Sequence, residues 1–301
     1  MNMRPYLFAG ISILLWGAAP AVSKLALGSL SGTQLLFASS AVAALFLLAV
    51  CRSTGRLSAL KTLRPRTLAA LAGIGVLGTF LYYEAYYAGL RTLSAQQATV
   101  INYLWPVFTV VLTARLTHER LSHKGQAALA LSFLGVAVVA TGGQVSSLLG
   151  MDLRGVFFSL AGAALYALFT SLSVRVKADT LVALLVYYTT SAAASGVSLA
   201  VTGEYFLPDR SEMIVILWTG LLAYGLAYFT WMWALKRGNT VTLSNLAYLT
   251  PVVSLFLIWL LLREPISSAS FAGLTVILFG VVLQSVPLHI HRPRRAFGSA
   301  H

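Results

Sequence analysis

Ten apolar stretches, each about 20 residues long, constrain the fold of this chain more than any other feature of its sequence. At a rise of about 1.5 Å per residue, a helix of that length crosses the roughly 30 Å hydrocarbon core of a bilayer. The stretches cover approximately residues 6–26, 33–51, 67–90, 95–114, 122–141, 154–174, 180–202, 212–235, 240–262 and 268–287. With 58% apolar and only 10% charged residues, the composition excludes an ordinary water-soluble globule. We therefore predict an all-α integral membrane protein with ten transmembrane helices.

The connections between the stretches are short and rich in glycine, proline, serine and charge, which leaves no room for a soluble domain. We therefore expect residues 1–301 to form a single transmembrane transporter domain. The first stretch follows Arg4 and could be read as a signal peptide, but the internal repeat described below requires it. A transmembrane β-barrel is excluded, because its strands alternate apolar and polar residues and this sequence does not.

The distribution of basic residues predicts the orientation of the chain in the membrane. If the N-terminus is inside, sixteen lysines and arginines fall in cytoplasmic segments and four, Arg91, Arg154, Arg210 and Arg263, fall in outer loops. Both termini are therefore predicted to be cytoplasmic. Because the basic residues form short clusters between apolar runs and no continuous face, we expect no nucleic-acid partner. The expected partners are the lipid bilayer and a small-molecule substrate.

The two halves of the sequence repeat each other at a constant offset of 145 residues. The repeated positions include Gly17 and Gly162, Tyr83 and Tyr228, Tyr103 and Tyr248, Pro106 and Pro251, and Glu119 and Glu264. Each unit, 1–145 and 146–290, contains five stretches, and because five is odd the second unit must be inverted relative to the first. Inverted repeats are typical of secondary transporters, in which the substrate site lies near the midplane between the repeats.

Short motifs in both units resemble those of a known transporter family. Trp16 and Gly17 lie in the first stretch, while Thr-His-Glu-Arg-Leu-Ser-His-Lys-Gly (117–125) and Leu-Arg-Glu-Pro-Ile-Ser (262–267) each follow a stretch that contains proline. Together they resemble the two EamA-type units of the drug/metabolite transporter superfamily over the whole chain. The resemblance implies a multi-pass protein of the bacterial inner membrane that exports small metabolites, above all aromatic and neutral amino acids.

Helical spacing places polar and aromatic residues of four stretches on shared faces, where a central polar cavity would supply partners for their buried polar atoms. The candidate substrate-binding residues found in this way are Thr79, Tyr83, Thr99, Asn102, Tyr103, Tyr228, Trp231, Ser244 and Tyr248. The family resemblance adds Trp16, Tyr82 and Trp105 to this set. It also adds Tyr166, because the second unit has Ala161 where the first has Trp16 and another aromatic surface is needed there.

Two prolines and two ionisable residues inside the stretches are further candidates. Pro106 and Pro251 fall near the middle of the fourth and ninth stretches, where proline removes a backbone donor and is predicted to kink the helix. We interpret the pair as a gating feature that borders a cavity, with a simple packing kink as the alternative. Lys24 and Glu84 are functional candidates because burying a charge is costly. The alternatives for these two are an ion pair with each other or snorkelling to the interface.

Two sequences that imitate cofactor motifs are interpreted as structural. Gly73, Gly75 and Gly78 have the spacing of a dinucleotide-binding loop but lie inside an apolar stretch, where small residues let helices pack closely. The segment 118–123 resembles a zinc-protease motif with one residue too many, so its two imidazoles would point about 140° apart. Glu264, the repeat counterpart of Glu119, has no such histidine partners, which favours a shared structural role for the two glutamates at a helix–loop junction. We expect no metal and no other cofactor, and the single cysteine, Cys51, excludes an intrachain disulfide.

These features predict a secondary transporter that works by alternating access on a small zwitterion with an apolar or aromatic side chain. Export, as opposed to uptake, follows from the resemblance alone. An exporter of drugs, nucleobases or lipophilic cations is the main alternative, since aromatic walls also suit such ligands.

An enzyme is disfavoured because the few ionisable residues form no acid–base or metal constellation. A channel is disfavoured because no carbonyl filter or ring of charged residues is visible in the sequence. Ion coupling and the oligomeric state stay open, a monomer being one option.

Overall fold

The computed structural model describes residues 3–116, 123–141, 143 and 152–285, and within these ranges the chain is helical without a strand. The helices are α1 (Arg4–Ala26), α2 (Gly32–Ser53), α3 (Leu57–Lys61), α4 (Pro65–Gly75), α5 (Tyr82–Thr92), α6 (Ala95–Asn102), α7 (Trp105–Leu116), α8 (His123–Ala140), α9 (Leu153–Ser173), α10 (Thr180–Thr202), α11 (Arg210–Leu217), α12 (Ala227–Leu235), α13 (Thr240–Ala247), α14 (Thr250–Leu262) and α15 (Ser268–Ser285). Two π-helical segments, Val76–Leu81 and Trp218–Leu226, join α4 to α5 and α11 to α12. The predicted all-α fold is confirmed.

Within the described ranges, six helices are long and apolar enough to cross a membrane when each π-helical segment is counted with the helices that it joins. They are α1, α2, Pro65–Thr92, α9, α10 and Arg210–Leu235. Shorter apolar helices cover Leu129–Val139, Thr250–Leu262 and Ser268–Gly280. The bounds predicted from hydropathy agree with the helix ends to within a few residues.

Several of these helices begin where the sequence supplies a polar side chain that caps the first free N–H groups. Ser31, Ser94 and Asp209 each form a capping box with a glutamine or glutamate three residues later. Asp152 and Asp179 accept hydrogen bonds from the first backbone N–H groups of α9 and α10. Caps of this kind satisfy donors that have no partner inside the helix. The scarce polar residues thus mark the ends of the apolar helices.

The fourth and ninth apolar stretches are each divided into two helices. The break between α6 and α7 lies at residues 103–104, and the break between α13 and α14 lies at residues 248–249. Pro106 and Pro251 each occupy the second position of the helix that follows the break. A missing N–H costs no helical hydrogen bond there, whereas it would in a helix interior. The predicted kinks at the two prolines are therefore breaks located just before them.

Helices from the two halves of the chain pack against each other at close range. The glycine-rich segment 73–78 lies in these contacts: a Cβ atom on Gly78 would lie 2.0 Å from the ring of Phe169, and one on Gly75 would lie 3.0 Å from the Cα of Tyr187. A Cβ atom on Gly73 would meet nothing within 4 Å. The segment therefore allows close helix packing, in agreement with its structural interpretation.

Gly78→Ala should destabilise the protein, because the added methyl group overlaps the buried ring of Phe169. Overpacking of this kind typically costs about 1–3 kcal/mol. Gly73→Ala is the matched control, since it adds the same group to open space and gains up to about 1 kcal/mol in helix propensity. Thermal unfolding of the purified protein in detergent compares the two. An equal change in Tm for both variants would contradict the close contact.

Candidate functional site

A cavity of about 300 Å³ lies among α1, α5, α6, α9 and α12, next to the second π-helical segment and to both helix breaks. Its lining residues are Trp16, Ala19, Pro20, Ser23, Tyr82, Tyr83, Tyr86, Tyr87, Thr99, Asn102, Tyr103, Trp105, Tyr166, Tyr224, Tyr228, Trp231, Ala247 and Thr250. Eleven of these eighteen residues are tyrosine or tryptophan, and none of the described lining residues carries a charge. The cavity is therefore aromatic and neutral, with a small number of polar atoms.

One group of rings is centred on Tyr82 of α5. Its ring centroid lies 4.6 Å from that of Tyr83 and 4.8 Å from that of Tyr166 on α9. Trp105, the first residue of α7, contacts Tyr166 edge to face at 5.1 Å. Such arrangements are favoured by the ring quadrupoles and hold aromatic side chains in fixed positions. This group forms a wall built from three helices of the fold.

A second group of rings joins α1 to α12. Trp16 lies 5.0 Å from Tyr228 and 5.6 Å from Trp231, measured between ring centroids. The hydroxyl of Tyr228 also lies 3.4 Å from that of Tyr166, which connects the two groups. Trp16 belongs to the first half of the chain, whereas Tyr228 and Trp231 belong to the second half. The cavity is thus walled by aromatic residues from both halves.

Several polar atoms of the cavity are paired with one another, whereas Oδ1 of Asn102 is buried without a hydrogen-bond partner in the described part of the chain. The hydroxyls of Tyr87 and Tyr224 lie 2.7 Å apart, and those of Tyr86 and Thr99 lie 3.3 Å apart. The side-chain amide of Asn102 donates a hydrogen bond of 3.2 Å to the hydroxyl of Tyr82. Buried hydroxyl and amide groups are costly without a partner, so these pairs stabilise the walls of the cavity. The same groups can exchange a partner for a polar group of a ligand.

Irregular backbone surrounds the cavity. Pro20 lies inside α1 and removes the helical hydrogen bond to the carbonyl of Trp16. Asn102 and Tyr103 lie at the end of α6, and Thr250 is the first residue of α14. Helix ends leave backbone groups without intrahelical partners, and at membrane depth such groups need protein or a wet cavity to face. The helix ends therefore contribute polar atoms to an otherwise apolar region.

The structure brings together ten of the thirteen residues predicted to bind substrate: Trp16, Tyr82, Tyr83, Thr99, Asn102, Tyr103, Trp105, Tyr166, Tyr228 and Trp231. Thr79 lies elsewhere, buried between helices, and its hydroxyl donates to the carbonyls of Gly75 at 2.7 Å and Tyr187 at 3.0 Å. Because Thr79 lies in the first π-helical segment, the α-helical period of 3.6 residues does not predict on which side of the helix it lies. Tyr248 lies half-buried against the hydrophobic core at the second break. The side chain of Ser244 lies outside the described residues.

Other lining residues were not predicted, although the sequence contains signals for most of them. Tyr86 and Tyr224 lie on the same helical faces as Tyr83 and Tyr228. Ala19, Pro20 and Ser23 continue the face of Trp16 at the spacing i, i+3, i+4 and i+7. Ala247 and Thr250 flank the second helix break, so their exposure to the cavity depends on a break that the periodicity does not reveal.

The two intramembrane charges lie outside the cavity lining. The ammonium group of Lys24 donates hydrogen bonds to the backbone carbonyls of Leu90 and Leu93, the latter at 2.7 Å, at the end of α5. A positive charge is favourable there because the carboxyl end of a helix carries partial negative charge. Glu84 is half-buried on α5, and no ion pair joins it to Lys24 in the described part of the chain. Lys24 therefore caps a helix, and this role is neither the ion pair nor the snorkelling predicted as alternatives.

Glu264 completes this arrangement at the neighbouring helix end. Its carboxylate oxygens accept hydrogen bonds from the backbone N–H groups of Ala95 at 3.2 Å and Gln96 at 3.4 Å, at the start of α6. The Gln96 side chain donates in return to the carbonyls of Glu264 and Pro265. This agrees with the structural role predicted for Glu264 at a helix–loop junction. Glu119, the repeat counterpart of Glu264, lies outside the described residues, as does the rest of segment 117–122.

A domain of apolar helices, with broken helices around a small neutral cavity, has the architecture of a membrane transporter for small molecules. The sequence match is specific: the chain belongs to the EamA-like transporter family of the drug/metabolite transporter superfamily, which it matches over residues 3–141 and again over residues 153–286. The family predicted from the short motifs is therefore confirmed. The match also establishes a multi-pass membrane transporter with a small-molecule substrate.

Several characterised and uncharacterised transporters are similar to this chain. An uncharacterized transporter of Archaeoglobus fulgidus is 25% identical over 93% of this chain and 98% of its own length. The aromatic amino acid exporter YddG of Ancylobacter novellus is 29% identical over 61% of this chain and 64% of its own length. The aromatic amino acid exporter YddG of Salmonella typhimurium is 24% identical over 65% of this chain and 69% of its own length. A crystal structure that is 23% identical, with a TM-score of 0.66 over 95% of this chain and 97% of that one, has the same fold.

Glu264→Ala should destabilise the protein, because it removes the acceptor of two N–H groups at the start of α6. Loss of a capping acceptor typically costs about 0.5–2 kcal/mol. Glu204→Ala is the matched control, since this carboxylate is exposed in the loop between α10 and α11. Thermal unfolding in detergent measures both variants. The capping role would be refuted if the two variants lost the same amount of stability.

Proposed function

We propose that this chain is a secondary transporter that exports aromatic and neutral amino acids across the bacterial inner membrane by alternating access. The observation that carries the proposal is the neutral, aromatic cavity. A zwitterion has no net charge and needs no fixed counter-charge in the wall. Its ammonium and carboxylate groups would exchange hydrogen bonds with the tyrosine hydroxyls and the Asn102 amide, while its side chain packs on the rings. The YddG exporters among the relatives support the same substrate class.

The volume of the cavity supports a small substrate. Ligand pockets in proteins cover roughly 300–1,000 Å³. At about 300 Å³ this cavity lies at the lower end of that range, which favours a metabolite of amino-acid size over a large drug.

A lipophilic cation is the second candidate, and the ring group of Trp16, Tyr228 and Trp231 favours it, since cations bind the faces of such rings. The same cavity disfavours it, because no described lining residue is a carboxylate that could neutralise the cation. Binding a net charge in a low-dielectric site without a counter-charge is costly. We therefore favour the zwitterion.

We also infer that the chain crosses the membrane ten times, as two inverted repeats. The two broken helices, α6–α7 and α13–α14, would each form one span, and α8 and α15 would complete the set. Equivalent contacts recur in support of this inference: α5 packs on α9 as α1 packs on α12, and α1 packs on α14 as α7 packs on α9. The π-helical segments and the breaks also occur in both halves, and the family match occurs twice.

Cysteine labelling in intact cells tests the orientation with both termini inside. The natural Cys51 is buried and cannot report on either side, so a Cys51→Ser background is used. In that background, a membrane-impermeant thiol reagent should label Tyr205→Cys, in an outer loop where the tyrosine is 88% exposed. Ser58→Cys, exposed on the other side, should be labelled only after the cells are opened. The reverse pattern would overturn the orientation.

Trp105→Ala should weaken the transport of phenylalanine about tenfold and that of alanine less. Removing a stacked ring typically costs about 0.5–1.5 kcal/mol beyond the buried area, and about 1.4 kcal/mol corresponds to a factor of ten. Counterflow of labelled amino acids in liposomes that contain the purified protein measures the effect. Trp105→Phe keeps a ring at this position and should retain most of the transport.

Tyr205→Ala is the matched control for the transport assay, because this tyrosine is exposed and is not among the described lining residues of the cavity. It should leave phenylalanine transport unchanged. Nucleobases and a lipophilic cation serve as competitors for labelled phenylalanine. The proposal fails if Tyr205→Ala and Trp105→Ala behave alike, or if a lipophilic cation is itself transported and phenylalanine is not.

A further inference from the structure

A second cavity, of about 210 Å³, lies apart from the aromatic one, where the end of α2, the start of α10 and the end of α12 meet. One wall is a single face of α12 and its cap, formed by Phe229, Met232, Trp233 and Lys236 at the spacing i, i+3, i+4 and i+7. This face is apolar over its first turns and cationic at its end. We call this cavity the basic groove.

The opposite wall of the basic groove changes character in the same way. Leu181 of α10 supplies its apolar part, whereas Thr54, Arg56 and Thr180 supply its polar part. A groove with one apolar and one polar cationic end matches an amphiphile that carries a negative charge. A free anion would use only the polar end.

The cationic end of the basic groove has an excess of positive charge. Arg56, Lys236 and Arg237 line it. Asp179 pairs with Arg56 and also caps α10, and in the described part of the chain it forms no ion pair with Lys236 or Arg237. No carboxylate is found among the described lining residues, so Lys236 and Arg237 face the groove without a neutralising partner there. The guanidinium of Arg237 lies 4.4 Å above the ring of Trp233, which keeps this cation at the groove.

We propose that the basic groove binds an anionic phospholipid, with the phosphate between Lys236 and Arg237 and an acyl chain along Met232 and Phe229. Under the proposed orientation the groove opens at the cytoplasmic leaflet, where anionic lipids are attracted to basic pockets between helices. A tryptophan at the boundary is typical of the membrane interface, and Trp233 is fixed there by stacking on Phe8 at 4.3 Å. The lipid would join α12 to α2 and α10.

Occupancy of the basic groove bears on the aromatic cavity because both use α12. Tyr228 and Trp231 line the aromatic cavity, and Phe229 and Met232, their neighbours in sequence, line the basic groove. A lipid in the groove thus holds the helix that carries two aromatic residues of the cavity wall.

The test titrates the delipidated full-length protein in detergent with phosphatidylglycerol, phosphatidylcholine or inorganic phosphate, and follows Tm and the retained lipid by native mass spectrometry. Phosphatidylglycerol should raise Tm and remain bound, whereas the other two should do neither at equal concentration. The double variant Lys236→Gln/Arg237→Gln should bind phosphatidylglycerol about 30-fold more weakly, since each cation near a charged lipid contributes about 1 kcal/mol. Lys236→Gln alone should lose about fivefold.

The matched control is Arg64→Gln/Arg66→Gln, which removes two exposed arginines at the start of α4, on the same predicted side. It should leave phosphatidylglycerol affinity unchanged. If the control lost as much affinity for phosphatidylglycerol as the double variant, the effect would come from the general surface charge, and the proposal would be overturned. Stabilisation by inorganic phosphate would identify a free-anion site, and stabilisation by phosphatidylcholine would identify non-specific lipid uptake; either result overturns it as well.

Discussion

The hydrogen bonding of the backbone is the constraint on which this structure depends. Inside a bilayer no water satisfies an N–H or C=O group, so the chain must form helices wherever it meets lipid. It can leave a helix only where protein atoms or a cavity take over the freed groups. The breaks at residues 103–104 and 248–249 both adjoin the aromatic cavity. The position of the site thus follows from the places where regular helix is interrupted.

The same constraint sorts polar groups by depth. Neutral dipoles that pair with each other occupy the middle of the fold, as the hydroxyls of Tyr87 and Tyr224 do at 2.7 Å. Lys24 and Glu264 lie at helix ends, where partial charges of the backbone compensate their charges: Lys24 at the carbonyl end of α5 and Glu264 at the amide end of α6. A charge in the centre would need a dedicated counter-charge to be stable. Separating the two kinds of group leaves the cavity neutral.

Hydropathy and periodicity predict the part of this structure that regular helices determine. The helix bounds, the face of Thr99, Asn102 and Tyr103, and the structural role of Glu264 all follow from regular spacing or from matched positions. The failures lie where the backbone is irregular. Thr79 lies outside the cavity lining because its segment is π-helical, and Thr250 is missed because it follows a break that the periodicity does not reveal. The capping contacts of Lys24 are not predicted because its partners are backbone carbonyls, which every residue carries and a sequence therefore does not single out.

Irregular backbone next to the cavity also bears on how a transporter of this kind changes conformation. Tyr82 follows the first π-helical segment, Tyr224 lies within the second, and Tyr103 lies in the first break. Segments with fewer regular helical hydrogen bonds rearrange at lower cost than intact helices. A ligand shifts a conformational equilibrium only by its difference in affinity for the two states. Because Tyr103 and Tyr224 belong to such segments, movement of these segments would change the ligand's own contacts. That change would supply the difference in affinity that the proposed alternating access requires.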